Sequence, residues 1–212
     1  MLFLIETAKF ITESTFLYFC TPLMINESEV AARLELSNSR MKEFMSVTTV
    51  RRYRKNDLIV QQGVTCDWLG YVSEGAIRTY CITDDGADVS FLLQVNGDFF
   101  GDYESFISGK PSDFRLEAML DTEVLVFHKA GLQQLIDRDL FWLHFSKKTA
   151  DIVFLDAKRR IKELLFYNPE QRYHNLLQKS PEIIRKIPQK YISSYLGITP
   201  QSLSRIRKRI TN

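Results

Sequence analysis

Polar and basic side chains recur at helical spacing close to the carboxyl end of the chain. They follow Pro200 as Gln201, Ser202, Arg205, Arg207, Lys208 and Arg209. A glutamine amide can bond adenine, a long guanidinium can form a bidentate bond to guanine, and basic side chains neutralise phosphates. We therefore predict that Gln201 and Arg205 contact base edges of double-stranded DNA and that Ser202 bonds a base or a phosphate. Further phosphate contacts are predicted for Arg207, Lys208, Arg209 and, from the preceding helix, Lys190.

Two short helices joined by a tight turn would hold these side chains outward. Their inner faces are marked by apolar residues, namely Ile192, Tyr195, Leu196, Leu203, Ile206 and Ile210, with Ile198 between the helices. Gly197 suits the left-handed end of the first helix, Thr199 can cap the second, and Pro200 fits its first position. The pattern predicts a helix-turn-helix over residues 189–210. A plain helical hairpin with a basic tip is the alternative interpretation.

Charge is divided unevenly along the chain. Residues 158–212 contain 13 Lys and Arg but three Glu, a net charge of +10, whereas the preceding residues carry −8. A basic carboxyl-terminal module that meets a polyanion, joined to an acidic module that does not, would explain this division. The alternative is a basic helical surface that is merely solvated.

Glycine is concentrated in the middle of the chain, where the pattern favours antiparallel β-structure. Eight of the nine glycines lie between Gly63 and Gly131, among short segments of alternating apolar residues. The predicted strands are 58–60, 68–72, 76–82, 88–95, 99–100 and 116–128, the last broken at Asp121-Thr122. Asp84-Asp85-Gly86 predicts a hairpin turn, because glycine accepts positive φ and aspartate bonds its own backbone. Such short, evenly spaced strands favour a sandwich or barrel over a parallel sheet.

A heptad-like stripe predicts one long helix over residues 139–166, about 40 Å long. The stripe consists of Leu143, Ala150, Phe154, Ala157, Ile161 and Leu164. Two interpretations are open: the helix packs on its own barrel, or it also pairs with a second copy of itself, which we favour. Asn168-Pro169 ends the helix, because proline cannot continue its hydrogen bonding. Residues 168–170 are the predicted hinge.

The amino-terminal part is less distinctive. Residues 27–45 have helical spacing, whereas residues 1–25 fit no pattern, and an added helix over apolar surface is one interpretation. The predicted units are an extension at 1–26, a β-domain at 27–138, the long helix at 139–167 and a helix-turn-helix domain at 168–212.

The sequence does not contain the residues that several classes of function require. Cys20, Cys66 and Cys81 lie far apart, which argues against a disulfide framework and against a zinc or iron–sulfur cluster held by cysteines alone. There is no long apolar run and no export signal, so we expect a reduced cytoplasmic location and no membrane partner. The motifs of serine hydrolases, P-loop enzymes, zinc peptidases and dinucleotide-binding enzymes are missing, so no catalytic residue, metal or enzymatic activity is expected.

Residues 27–210 resemble the bacterial cyclic AMP receptor protein/fumarate–nitrate regulator (Crp/Fnr) family. The resemblance rests on KNDLIVQQG at 55–63, EGAIR at 74–78, GDFFGD at 97–102 and, most closely, the helix-turn-helix. It implies an α+β fold with an N-terminal cyclic-nucleotide-binding-like β-roll (a double-stranded β-helix or jelly roll), a long dimerisation helix and a winged-helix-like C-terminal helix-turn-helix. It also implies a homodimeric, sequence-specific transcription regulator that binds a palindromic operator.

The resemblance assigns roles to individual positions. Pro200, Gln201 and Arg205 match the family's base-reading sites, and Thr199 and Ser202 match its phosphate-contacting ones. Double-stranded DNA and a second copy of the chain are the expected partners, and RNA polymerase is a further candidate. Because the sequence stops two residues after Ile210, the family's C-terminal β-hairpin wing is expected to be missing.

The predicted effector pocket departs from the family's nucleotide-binding pattern. Asp102 stands where a ribose-binding Glu would be, and Ser112-Asp113 replace the phosphate-binding Arg-Ser pair. An aspartate repels phosphate, and loss of the arginine removes a charge-assisted bidentate contact. We therefore expect no high-affinity binding of cyclic AMP, while another small effector, or none, remains open. The predicted pocket residues are Phe100, Gly101, Asp102, Ser112, Asp113 and Arg115.

Two other functions compete with DNA binding. A small-ligand-binding β-roll could act through protein partners and leave the basic tail solvated. An enzyme on a cupin-like barrel would need a His/Glu metal cluster on its strands, where the sequence offers His128 alone, at the end of the region.

Overall fold

Two antiparallel sheets form the centre of the fold in the computed structural model, which describes residues 25–211. The strands are β1 Thr48–Tyr53, β2 Leu58–Val60, β3 Trp68–Glu74, β4 Ala76–Ile82, β5 Asp88–Val95, β6 Phe99–Phe100, β7 Arg115–Ala118 and β8 Thr122–His128. One sheet has the order β1-β8-β3-β6 and the other β2-β7-β4-β5. The predicted strands and their antiparallel pairing are confirmed. Strand β1 was not predicted, because its TTVRRY sequence is polar and half-buried rather than alternating.

The space between the sheets is filled by aliphatic and aromatic side chains. It contains Val60, Cys66, Val72, Ile77, Phe100, Leu116, Val124 and Val126. Phe100 meets Trp68 edge-on, with ring centroids 5.7 Å apart. A Cβ at Gly70 would lie 2.2 Å from the Phe100 ring, so this strand position accepts only glycine. The interior of the roll is therefore a packed core at these positions.

Within residues 25–211, two helices precede the strands in the chain, one lies between β6 and β7, and six follow β8. They are α1 Glu27–Arg33, α2 Asn38–Met45, α3 Tyr103–Ser108, α4 Lys129–Arg138, α5 Leu140–Phe166, α6 Pro169–Lys179, α7 Pro181–Lys186, α8 Gln189–Leu196 and α9 Pro200–Thr211. The segment with helical spacing at 27–45 is two helices, interrupted where Glu35 takes φ 56° and Ser37 caps α2. The sequence pattern did not identify α3, α4, α6 or α7. The interpretation of residues 1–25 as an added helix lies almost wholly outside the described residues.

The long helix α5 matches its predicted bounds within one residue. The Asp139 side chain accepts a hydrogen bond from the Phe141 backbone N–H at 2.9 Å and so caps its start. Trp142 is fully buried in a cluster with α2, α4 and the β1–β8 side of the roll, which anchors this end. At the other end Tyr167 is extended and Asn168 caps α6, so the chain turns at the predicted hinge.

The carboxyl-terminal helices pack against the β-roll. Their buried residues Tyr173, Leu176, Ile183, Ile192, Leu196, Leu203 and Ile206 share one cluster with sheet residues Ala76, Leu93, Val95 and Met119. Helix α8 lies against the edge strand β5. Among the described helices, none is both long and apolar enough to cross a membrane.

Candidate nucleic-acid interface and effector cavity

The turn between α8 and α9 is built by three adjacent positions. Gly197 has φ 66° and ψ 38°, the left-handed conformation that favours glycine because it lacks a Cβ. Thr199 Oγ1 accepts a hydrogen bond from the Ser202 backbone N–H at 3.2 Å, so this side chain caps α9. Pro200 is the first residue of α9. The local chemistry predicted for this turn is confirmed.

One side of each helix is buried against the other. Ile192 and Leu196 of α8 face Leu203 and Ile206 of α9 in the carboxyl-terminal core cluster. The prediction that Ile210 continues this inner face is wrong, because its side chain is 38% exposed. It lies in the last turn of α9 and is not part of the core cluster that α8 and α9 share.

The opposite side of α9 is polar and open to solvent. Gln201, Arg205, Lys208 and Arg209 are exposed, as are Thr199 and Pro200 at the start of the helix. Ser202 is half-buried, and its hydroxyl accepts a hydrogen bond from Arg205 Nη2 at 3.3 Å. Arg207 is half-buried as well. The first two turns of α9 therefore present the Gln201 amide and the Arg205 guanidinium on one side, and recognition helices contact base edges through this part of the helix.

Two basic residues lie near this face, and one of them forms an ion pair within the protein. Lys190, at the start of α8, is exposed and its Nζ lies 5.4 Å from the centroid of the Tyr191 ring. Arg209 forms an ion pair with Glu170 of α6, with 3.0 Å between Nη2 and Oε2. Both partners are substantially exposed, so the pair is weak and a phosphate can replace the carboxylate. The sequence pattern gave no sign of this pair, because the two residues are distant in the chain.

A cavity of about 440 Å³ lies beside α3, at the predicted effector position. It is lined by Asp102, Glu104, Ser105, Lys110, Pro111, Asp113 and Phe114. Of the predicted pocket residues, Asp102 and Asp113 therefore come together here. Phe100, Gly101, Ser112 and Arg115 are not part of its lining.

The predicted residues outside the lining have other surroundings. Phe100 belongs to the roll core, and Ser112 is buried with its hydroxyl 3.2 Å from the carbonyl oxygen of Phe114. Arg115 is half-buried, and its Nε has no hydrogen-bond partner among the described residues. Lys110, Ser105 and Phe114 were not predicted, because the loop that brings them together has no sequence signature.

The cavity is negatively charged. The Asp102 carboxylate is buried and accepts hydrogen bonds from the backbone N–H groups of Glu104 at 3.1 Å and Ser105 at 3.2 Å. Its Oδ1 thus caps α3. Glu104 and Asp113 add two more carboxylates, and Lys110 adds a single ammonium group to this lining. An anionic phosphate would meet net repulsion here.

The long helix exposes the stripe that was predicted to pair. Leu143, Phe154, Ile161 and Leu164 are exposed, with Phe154 66% exposed, while Ala150 and Ala157 are half-buried. The neighbouring Ile152, Leu155, Leu165 and Phe166 are exposed as well. Exposed apolar stripes of this kind are uncommon on monomeric proteins.

The described part of the chain contains no metal-binding cluster, and its two cysteines are free. Across residues 25–211, no group of three or more His, Cys, Asp or Glu side chains is arranged to hold a metal ion. Cys66 and Cys81 are free thiols, and burial raises the pKa of the Cys66 thiol, which disfavours the reactive thiolate. Cys20 lies outside the described residues.

Comparison with known proteins agrees with this architecture. Residues 50–139 match the cyclic nucleotide-binding domain family. The chain is 22% identical to the cAMP-activated global transcriptional regulator CRP of Pasteurella multocida, covering 79% of this chain and 85% of that protein.

Solved structures share the fold. FixK2 from Bradyrhizobium japonicum superposes with a TM-score of 0.68 at 21% identity, covering 78% of this chain and 85% of that one. The c-di-GMP-responsive global regulator CLP from Xanthomonas campestris gives 0.64 at 19% identity, covering 82% and 92%. With its match to the cyclic nucleotide-binding domain family at residues 50–139, its long helix and its carboxyl-terminal helix-turn-helix, the chain is similar to these regulators and shares their fold.

Proposed function

We propose that the chain is a sequence-specific, DNA-binding transcription regulator that acts as a homodimer on a palindromic operator. The observation that carries the proposal is the polarity of α9: Leu203 and Ile206 are buried, while Gln201 and Arg205 stand exposed on the opposite side. A helix that is packed on one side and exposes polar side chains on the other can enter the major groove and contact base edges. CRP of Pasteurella multocida is described as a global transcriptional regulator, and CLP as a global regulator linked to virulence gene expression, which supports this role.

The exposed apolar face of α5 supports the proposed dimerisation. Pairing of Phe154 and Ile161 with the same residues of a second copy would bury apolar surface that is otherwise in water. Two-fold pairing would place two α9 helices in successive major grooves, with half-sites about 34 Å apart. Arg205 and Gln201 would read bases, and Lys190, Thr199, Ser202, Arg207, Lys208 and Arg209 would contact phosphates.

The β-roll is proposed to be an altered sensor domain or a scaffold, and not a high-affinity cyclic AMP receptor. The carboxylates of Asp102, Glu104 and Asp113 around the cavity support this part of the proposal. A neutral or cationic small molecule, or no effector, is compatible with that charge. No catalytic role is proposed for any residue.

Selection of bound fragments from random DNA, followed by mobility-shift titration at several salt concentrations, tests the proposal. We expect an enriched palindrome with one helical turn between half-site centres and an affinity that falls steeply with salt. The competing function, a ligand-binding roll that acts through protein partners, predicts no enriched sequence and only weak, unspecific retardation. That result would refute the DNA-binding role.

A further inference from the structure

Two arginines from different parts of the fold hold the same face of α8. The guanidinium carbon of Arg78, on β4, lies 4.0 Å from the centroid of the Tyr191 ring. The guanidinium carbon of Arg160, on α5, lies 3.7 Å from the centroid of the Tyr195 ring. Tyr191 and Tyr195 are four residues apart and therefore share one face of the helix. The first helix of the helix-turn-helix is thus clamped by a cation from the sheet and a cation from the long helix.

Contacts within the β-roll hold the Arg78 side chain in place. Its side chain is 1% exposed, and its Nε donates a hydrogen bond to Ser90 Oγ at 2.8 Å. It also forms a two-point ion pair with Asp88, and the Tyr80 ring lies on it with the centroid 4.1 Å away. Burial lowers the pKa of Arg78, but an arginine starts so high that the group stays charged. The Tyr191 ring therefore meets a rigid, charged surface.

The same two residues of β5 also bond α8 directly. The Ser90 backbone N–H donates to Ser194 Oγ at 2.9 Å, and Ser194 Oγ donates to the carbonyl oxygen of Asp88 at 3.2 Å. Asp88 and Ser90 thus contact both Arg78 and α8. A shift of the β4–β5 hairpin would move the clamp and the helix together.

Arg160 completes the contact at some cost in stability. Its side chain is buried, it donates a hydrogen bond to the carbonyl oxygen of Tyr195, and its Nη1 has no partner among the described residues. A buried cation is expensive, and apolar residues of similar size would join the two surfaces at least as stably. Two buried arginines at one contact are therefore better explained by the geometry they impose than by the stability they add.

The clamp leaves the base-reading side of α9 open. Gln201, Arg205 and Lys208 are exposed while α8 is held against β5. The docked position is thus compatible with DNA contact and does not mask the recognition helix.

We propose that Arg78 is a positioning residue for operator binding: its stack on Tyr191 fixes the helix-turn-helix against the β-roll, so that the dimer presents its two recognition helices at a set separation. This inference rests on the proposed function. A dimer whose helix-turn-helix units are already fixed can engage two half-sites at once. A dimer in which these units are free must order them on binding, which costs affinity. Binding to a single half-site needs no set separation and is insensitive to the clamp.

The test compares a full palindromic operator with a fragment that contains one half-site. Arg78→Met should weaken binding to the full operator by about tenfold or more and leave half-site binding nearly unchanged. Arg138→Met, the same exchange at an exposed position of α4, serves as the matched control and should alter neither. Equal losses on both DNAs, or tighter binding to the full operator, would overturn the proposal.

Tyr191 supplies a second pair of variants in case Arg78→Met does not fold. Tyr191→Leu removes the ring and should reproduce the selective loss, whereas Tyr191→Phe keeps the ring and should restore wild-type binding. A loss of the same size in both variants would contradict a role for the stack.

Hydrogen exchange without DNA separates failure of the clamp from failure of the proposed function. The Ser90 amide and the amides of α8 should exchange faster in Arg78→Met and Tyr191→Leu than in wild type or Arg138→Met. Unchanged exchange would refute the clamp even if the protein binds DNA. If the two variants exchange faster but the wild-type protein binds no DNA, the clamp would stand and the proposed function would be refuted.

Discussion

The indole Nε1 of Trp142 donates a hydrogen bond to Glu43 Oε2 across 2.8 Å and joins the first turn of α5 to α2. Trp142 is fully buried and stacks on Phe44, while Glu43 also accepts a bond from Arg40 at 2.9 Å. The long helix is thus anchored to the roll at one end, and its exposed apolar stretch projects beyond that anchor. These two residues, 99 positions apart in the chain, hold the first turn of the helix against α2.

We expect Trp142→Phe to lower the free energy of unfolding by about 1–3 kcal/mol, since it removes a hydrogen bond and leaves a cavity. The bond to Trp142 and then the one to Arg40 lower the pKa of Glu43. Such a carboxylate stabilises the fold above its unfolded pKa, and that contribution is lost as pH falls through the folded pKa. In Trp142→Phe the pKa of Glu43 is lowered less, so this acid-dependent loss of stability should be smaller and should be complete at a higher pH. Urea unfolding at a series of pH values measures both effects.

Glu43→Gln is the matched control for that series. The amide keeps an acceptor for the indole N–H but carries no charge, so this variant should show a weaker pH dependence than either protein with glutamate. If Trp142→Phe and wild type lose stability over the same pH range, the indole is not what lowers the pKa of Glu43.

Arg205→Ala should cost about 1–3 kcal/mol of operator binding and relax the preference at one base pair. The loss should be sequence-dependent, because the guanidinium is exposed at the first turns of α9 and can form a bidentate bond to guanine. Mobility-shift titration on the selected operator and on its single-base variants measures this. Ser204→Ala, an exposed neighbour on the same helix, should change little. Unaltered affinity and base preference in Arg205→Ala would exclude the proposed docking.

Lys208→Ala should weaken binding to all sequences alike and reduce the slope of log affinity against log salt by about one. Lys208 lies near the end of α9, where a long ammonium side chain reaches phosphates rather than bases. Titration at a series of salt concentrations gives the slope. Lys55→Ala removes the same charge from the β-roll and should leave the slope unchanged. A sequence-dependent loss in Lys208→Ala would instead indicate a base contact.

Ile161→Glu should convert a dimer to a monomer, because it buries a carboxylate in an apolar interface. Ile161 is 58% exposed on α5, in line with Phe154 two turns earlier. Sedimentation velocity measures the oligomeric state over a range of protein concentrations. Arg159→Glu introduces the same residue on the other side of the helix and should leave the dimer intact. Should Ile161→Glu remain dimeric, α5 would have to pack elsewhere.

Calorimetric titration with cyclic AMP or cyclic GMP should give no saturable heat at micromolar ligand. The carboxylates of Asp102, Glu104 and Asp113 repel the cyclic phosphate, and the cavity lining contains no arginine to bind it. Asp113→Asn removes one of these charges and should increase any residual binding. A clear micromolar isotherm with the unaltered protein would contradict this interpretation of the cavity.

The features that could be predicted from the sequence are those that depend on near neighbours in the chain. Gly197, Thr199 and Pro200 act through their own dihedral angles and through hydrogen bonds within a few residues, so they identified the helix-turn-helix directly. The hairpin turn at 84–86 and the proline stop after α5 are local in the same sense. Periodicity likewise indicated the strands, whose alternating side chains face the core, and the long helix, whose apolar stripe lies along one exposed face.

Only the tertiary structure decided which distant residues meet. Arg78 and Tyr191 are 113 positions apart, and nothing near either residue indicates that a buried guanidinium will stack on that ring. The charge of the cavity depends on a loop that brings Lys110 and Asp113 to Asp102. Ile210 follows the apolar period of α9 but is left uncovered, because burial depends on the length of the neighbouring helix as well as on spacing. Long-range packing selects among faces that the local pattern leaves equivalent, and it does so through contacts that no local window contains.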